Sequence, residues 1–325
     1  MKNAMQIQEW VKNTLKEKGY ELLGAEETVS INRWSTTSRM QTTKGLVYQK
    51  HMAENFSNEP RLLEFLNHQK FQNVPAIIAM NNVEKIFLME DAGQSLDEFL
   101  KSGKGNINIG ADALKLLAKL QMKSIPHVDS LIKIGVYDWR LSKLPEVYEE
   151  FILSREKLLA SLLRPDEIKH LRKLSGGLKQ LCHFIALLNI PETLEHGDLN
   201  DLNILIKDGN ITISDFGDSS ISHPFISLVT FLRFRGIYGM PMKQYESLRD
   251  IYLEQWLDYG TIGNIIEAFN QINIIEPIIK CLHFLRAIDC IETSDTLLYN
   301  SNSQKIAKEL RIFIDLYKKI TSSPH

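Results

Sequence analysis

Cysteine is scarce in this chain: Cys182, Cys281 and Cys290 are the only three in 325 residues, and they lie far apart or outside any metal-binding spacing. That excludes a disulfide framework and a cysteine-ligated zinc centre, and it suits buried thiols in a reducing cytosol. An excess of one charge is also missing. Thirty-eight Lys and Arg against 40 Asp and Glu leave a formal net charge of −2, so on balance there is no basic face for nucleic acid. No stretch approaches the ~20 consecutive apolar residues of a membrane span. The first residues, Met1-Lys2-Asn3-Ala4-Met5-Gln6, run into a polar amphipathic segment without the apolar core of a secretion signal. Internal repeats and low-complexity tracts are absent. What is present, 44% hydrophobic and 24% charged residues, is the composition of a globular protein. The length exceeds one compact core of ordinary size, so two lobes are expected.

The chemistry concentrates in Glu195-His196-Gly197-Asp198-Leu199-Asn200-Asp201-Leu202-Asn203-Ile204-Leu205-Ile206 and, just beyond, Ile213-Ser214-Asp215-Phe216-Gly217-Asp218. Ile204–Ile206 and Ile211–Ile213 are short apolar, β-branched runs around Lys207-Asp208-Gly209-Asn210, and an Asp-Gly turn between such runs reads as a β-hairpin. A hairpin joins its own ends, which brings Asn203 beside Asp215 with Asp198 nearby. Two oxygen donors converging next to a carboxylate suit a hard cation such as magnesium, held together with substrate phosphates. The plainer alternative is a structural hairpin with solvated acids.

An Asp followed five residues later by Asn, and then Asp-Phe-Gly, is the phosphoryl-transfer signature of kinases. Protein kinases usually carry Arg in the middle of His-Arg-Asp, whereas Gly197 stands there in this chain. In that form the chain resembles the aminoglycoside phosphotransferase and choline kinase-like family of small-molecule kinases. The resemblance implies an α+β, two-lobed protein-kinase-like fold, with a small antiparallel-sheet first lobe and a mostly helical second. It also implies Asp198 as catalytic base and Asn203 and Asp215 as magnesium ligands, with ATP or GTP as co-substrate.

Upstream, Ile7, Trp10, Val11 and Leu15 share a helical face, with Gly19 as the stop; that helix is expected on the back of the first lobe. Thr28–Ile31 reads as a strand, Asn32–Arg39 as a polar loop, and a second strand follows near Met40. Kinases cover the nucleotide phosphates at this place with a glycine-rich turn. Here the loop has no glycine, and Ser35, Thr36, Thr37 and Ser38 offer hydroxyl and backbone donors to phosphate instead. An ordinary polar hairpin tip is the alternative. Alternation along Gly45–Lys50 sets Lys50 among apolar neighbours, the expected place of the kinase lysine that meets the α- and β-phosphates. Ser57 is expected to cap the next helix, with Pro60 in its first turn. Glu59 aligns with the family's helix glutamate that holds the lysine, and Glu54 and Glu64 compete for that role.

Ile86–Gly93 resembles the last strand of the first lobe and the hinge, with the backbone of Met89, Glu90 and Asp91 toward the adenine. The division is therefore expected at residues 1–92 and 93–325. Helices are expected around Leu96–Leu100, over Ala113–Gln121, over Gly177–Leu188 and through Ile226–Thr321. Val136–Glu156, rich in aromatics and acids, reads as an acceptor-pocket lining or as an amphipathic helix with a solvated acidic face. His196 is expected to brace the catalytic loop by hydrogen bonding, since no second His or Cys stands at ligand spacing. Many family members continue with Asp-Pro and a further Asp; this chain has His223-Pro224 and Ser227, which departs from the aminoglycoside-modifying pattern. The expected activity is magnesium-dependent transfer of a γ-phosphoryl group to a hydroxyl of a small molecule, in the cytoplasm, without nucleic acid or membrane as partner. Monomer and homodimer both stay open. A protein kinase and a nucleotide-binding pseudokinase are the rival readings. The joint presence of Lys50, Asp198, Asn203 and Asp215 favours catalysis.

Overall fold

The computed structural model describes residues 2–103, 108–237, 239–291 and 296–322. Helix α1 (Lys2–Glu17) leads into strands β1 (Glu27–Ile31), β2 (Ser35–Thr42) and β3 (Gly45–Met52), helix α2 (Glu59–His68), and strands β4 (Ile77–Asn81) and β5 (Ile86–Glu90). The five strands form one antiparallel sheet in the order β1-β2-β3-β5-β4. The apolar stripe of α1 packs Val11 and Leu15 on Met40, Val47 and Leu88 of the sheet, with Ile7 and Trp10 alongside. Gly19, at φ +75°, lets the chain leave the helix in the left-handed region that side chains disfavour.

Two local expectations are corrected. The polar loop ends at Trp34, because Thr36 and Thr37 belong to β2 and pair with His51 and Lys50 of β3. Their β-branched side chains favour the strand. Asn32 closes the turn itself: its Oδ1 accepts from the N–H groups of Trp34 (3.0 Å) and Ser35 (2.7 Å). No residue from Asn32 to Ser35 has a positive φ, so this turn needs no glycine. Ser57 is not the cap of α2, which begins after Asn58; the Ser57 hydroxyl instead donates back to Glu54 O at 2.7 Å.

Beyond β5, strand β6 (Gln94–Ser95) and helix α3 (Leu96–Lys101) are joined by a capping box between Ser95 and Glu98. Helices α4 (Asn108–Ser124) and α5 (Val128–Lys133) and strand β7 (Tyr137–Asp138) follow. Helix α6 (Leu144–Val147) continues into a π-helical turn over Tyr148–Leu153, and then come α7 (Glu156–Leu162) and α8 (Pro165–Ala186). Strands β8 (Thr193–Glu195), β9 (Ile204–Lys207), β10 (Asn210–Ile213) and β11 (Ser220–Ser222) precede helices α9 (Phe225–Ile237), α10 (Met242–Leu253), α11 (Ile262–Ile288) and α12 (Thr296–Ser322). The antiparallel sheet followed by a mostly helical region is the two-lobed plan read from the sequence.

The hairpin of β9 and β10 has Lys207 opposite Asn210. Asp208 and Gly209 both take positive φ (50° and 78°), as the primed turn that matches strand twist requires. The core of the helical region centres on α9 and α11. Every residue of α9 from Phe225 to Leu232 is buried. Helix α11 is apolar on almost all sides and packs against both α9 and α12. Among the described residues no helix is long and apolar enough to cross a membrane.

Candidate active site

The loop between β8 and β9 carries Asp198. Gly197 enters it at φ +82°, and a Cβ there would lie 2.2 Å from the carbonyl oxygen of Asp218. The backbone contact leaves no room for any side chain, which explains why glycine replaces the arginine of the protein-kinase string. His196 sits buried against the Phe216 ring, 4.8 Å between centroids. Its Nδ1 accepts the Asp198 N–H (3.3 Å), so Nε2 carries the proton and donates to Ser214 O (2.9 Å). Burial lowers the imidazole's pKa against the pull of nearby carboxylates, which favours that neutral form. His196 thus ties the Asp198 loop to the strand end that leads into Asp215.

The Asp198 carboxylate is about half exposed (47%) and held from two sides. Asn200 and Asn203 donate through Nδ2 to Asp198 O (2.9 and 2.8 Å) and, more weakly, to its Oδ2 (3.2 and 3.4 Å). Opposite them, Lys280 of α11 reaches Asp198 Oδ1 at 3.2 Å and Gly197 O at 2.9 Å. Burial pulls the Lys280 ammonium pKa down, but Asp198, Glu276 and Asp218 outweigh it and leave the net shift upward. Behind the loop lies Glu195, wholly buried, accepting from the Gly197 N–H (2.8 Å) and the hydroxyls of Ser227 (3.0 Å) and Ser220 (3.3 Å). Burial pushes its carboxyl pKa up to about 7.

Lys50 stands between two carboxylates, 2.7 Å from Glu59 Oε2 and 2.7 Å from Asp215 Oδ1. Of the three acids considered for this contact, Glu54 pairs with Lys85 and Glu64 is exposed; Glu59 is the one that meets Lys50. Glu59 Oε1 also accepts the Phe216 N–H at 3.1 Å, which joins α2 to the Asp-Phe-Gly segment. Burial raises the Glu59 pKa to about 7 against the opposing pull of Lys50. Asp215 adopts a left-handed backbone (φ 64°, ψ 66°), a strained state for an aspartate, and its side chain is half exposed. Ser214 N donates to Asn203 O at 2.8 Å, so the hairpin ends do meet.

The structure thus brings Lys50, Ser35, Asp198 and Asp215 to the wall of one cleft of about 590 Å3, with Lys280 and Trp34 also lining it. Thr36, Thr37, Met89, Glu90 and Asp91 do not line it, and neither do Glu59 and Asn203, which are buried and reach its lining through Lys50 and Asp198. The Glu90 N–H donates to Ala76 O and the Asp91 N–H to Leu46 O, while Asp91 O takes Lys207 Nζ. The two residues expected to hold magnesium, Asn203 and Asp215, carry donors that would suit the ion. The Asn203 Nδ2 is committed to Asp198, which leaves the side-chain Oδ1 of Asn203 unclaimed among the described residues, and Asp215 Oδ2 is likewise unclaimed. Both are hard oxygen donors.

Sequence reasoning missed Lys280, Glu195 and Arg286. Arg286, on α11, donates to Asn55 O (2.8 Å), Gly217 O (3.0 Å) and Asp218 Oδ1 (3.3 Å), and lies over the rings of Phe56 (4.7 Å) and Tyr137 (4.2 Å). Asp218 also has the His283 ring at 3.4 Å, and against its own burial the attraction of His283, Arg286 and Lys280 holds its carboxyl below the usual carboxylate range. No local pattern in α11 signals these contacts, because its polar residues are isolated within an apolar run.

A family model, APH or phosphotransferase enzyme family, matches residues 47–263. No curated protein matches the chain. Among solved structures, the streptomycin–ATP–APH(2")-IIa ternary complex aligns at TM-score 0.60 and 15% identity, covering 96% of this chain and 97% of that one. Choline kinase LicA from Streptococcus pneumoniae aligns at 0.57 and 13%, covering 94% and 99%. Ethanolamine kinase from Plasmodium vivax aligns at 0.59 and 15%, covering 90% and 84%. At these identities the likeness shows the fold, which is protein-kinase-like.

Proposed function

Because the chain belongs to the APH phosphotransferase enzyme family, we propose that it moves the γ-phosphoryl group of ATP or GTP to a hydroxyl of a small molecule. The observation that carries this reading is Lys50, fixed between Glu59 and Asp215 on the wall of the cleft that also exposes Asp198. Lys50 would meet the α- and β-phosphates, and Glu59 would hold it there. Ser35, at the turn above, would offer its hydroxyl to a phosphate oxygen. Asn203 and Asp215 would hold magnesium, which when bound neutralises phosphate charge. Asp198 would accept the proton of the acceptor hydroxyl as its oxygen bonds to the γ-phosphorus. The bond from that phosphorus to the bridging oxygen breaks, and its electron pair leaves with the nucleoside diphosphate. The lobes would divide at residues 92 and 93. Positioning and charge neutralisation carry most of the rate in this chemistry, since the protein does little covalent work. Streptomycin, kanamycin, choline and ethanolamine are named for the neighbours, which supports a compact acceptor.

The test is magnesium-dependent ATP turnover across hydroxylated acceptors, with Asp198→Asn beside the native chain. The variant is expected to bind nucleotide nearly unchanged and to lose about 10²–10⁴ in transfer, the usual worth of a positioned base. Equal losses of nucleotide affinity and turnover would make Asp198 a structural or metal residue instead.

A further inference from the structure

The acceptor side of the cleft has an unusual charge economy. Its carboxylates are taken by the protein's own cations. Glu276 accepts Arg233 and the Thr230 hydroxyl, and Glu309 accepts Arg233 through both oxygens (2.8 and 3.0 Å). Asp218 faces Arg286 and His283. The aromatic faces beside it are occupied in the same way: Arg286 lies over Phe56 and Tyr137, and Lys305 lies over Phe284 at 5.3 Å. A cationic acceptor would therefore find Glu276, Glu309 and Asp218, and the ring faces of Phe56 and Phe284, already taken.

Two of the lysines show the opposite pattern. Lys280, Lys305 and Lys308 all line the cleft. Lys280 meets Asp198, and among the described residues neither Lys305 nor Lys308 meets a carboxylate. Both project from exposed positions on α12. Resting on the kinase reading above, we propose that the acceptor is a hydroxylated anion. Its carboxylate or phosphate sits against Lys305 and Lys308 while its hydroxyl meets Asp198 beneath Lys280. An amine in the same place would meet those ammonium groups without a counter-charge, and like charges brought together reject a ligand as effectively as opposite ones select it.

The experiment compares acceptors that differ in one terminal group: glycerate, glycerol phosphate, glycerol and aminopropanediol, and the matching gluconate, glucitol phosphate, glucitol and glucamine. Each is offered with magnesium and ATP to the full chain and to a Lys305→Glu, Lys308→Glu double variant. The native protein is expected to favour an anionic member over its neutral and amine counterparts by about tenfold or more in kcat/KM, as one charge-assisted contact provides. Carboxylate and phosphate are told apart by which member wins. In the double variant the ratio should fall toward parity, and a ratio within one protein sample does not depend on how much of it is folded. Preference for a neutral or amine member, an unchanged ratio in the variant, or no transfer to any anionic member overturns the inference. The kinase reading is judged separately, from magnesium-dependent stabilisation by ATP: if that is absent too, both fall together.

Discussion

Lys280 Nζ lies 3.2 Å from Asp198 Oδ1, across 82 residues of sequence, and so couples the middle of α11 to the carboxylate that faces the cleft. The matched family segment ends at residue 263, before this lysine. Asp198 has amide donors on one side, and Lys280 supplies the restraint on the other. Lys280→Met should lower kcat by about 10–100-fold, because a base misplaced by a fraction of an ångström transfers its proton less often. Lys280→Arg should restore much of that loss by keeping a cation in place. Steady-state kinetics of the two variants decide it: equal kcat for Met and native protein would leave Lys280 without a role at Asp198.

Asp215 gives the second prediction. ATP with magnesium, bound only by the folded chain, should stabilise it by about 2.7 kcal/mol at a hundredfold excess over Kd. Asp215→Ala should remove most of the magnesium-dependent part, although Lys50 keeps Glu59 as a partner and the fold persists. Differential scanning fluorimetry with ATP, with and without magnesium, reads this directly. An undiminished magnesium-dependent shift in the variant would rule out the metal assignment.

How much of this was legible in the sequence depends on how local each contact is. The hairpin from Asn203 to Asp215 is specified within a dozen residues by β-branched runs and an Asp-Gly turn, and the structure forms it with the expected pairing. The α1 stripe and the helical second region were readable for the same reason, periodicity. The hydroxyl-rich stretch after Asn32 misled, because polarity suggested a loop while Thr36 and Thr37 carry strand-forming side chains. Gly197 was visible as an oddity, but its reason is the approach of the Asp218 backbone from a distant turn. Glu195, Lys280 and Arg286 act through contacts spanning up to 231 residues, and isolated polar residues in apolar segments leave no pattern.

Glu195 provides a pH prediction. Burial raises its folded-state pKa to about 7 from the usual 4.5. Between those values the folded chain binds the proton that the unfolded chain has lost, so this group stabilises fully below about pH 4.5. That contribution declines as pH rises and is gone above about pH 7. The linkage amounts to roughly 3 kcal/mol over this window. Glu195→Gln keeps an acceptor for the Gly197 N–H but does not titrate. Urea denaturation of both proteins across the window should therefore show the variant gaining on the native chain as pH rises. Parallel stability curves would mean that Glu195 titrates alike folded and unfolded.

The last prediction concerns what the chain phosphorylates. A protein kinase needs an extended segment after Asp-Phe-Gly, ending in Ala-Pro-Glu, on which a peptide docks. Here the Asp-Phe-Gly turn runs directly into β11, which pairs with β7 and β8, and then into α9. Residues Phe225 to Leu232 are buried, with Phe225 edge-on to both Tyr252 and Trp256. A peptide therefore has no platform there unless a core helix unpacks, whereas the cleft beside Asp198 is large enough for a compact ligand. Labelled ATP and magnesium, offered with a proteome extract in one reaction and a metabolite and antibiotic panel in another, should yield label in small molecules only. Robust labelling of polypeptides with no small molecule modified would show instead that the acceptor reaches Asp198 as part of a protein.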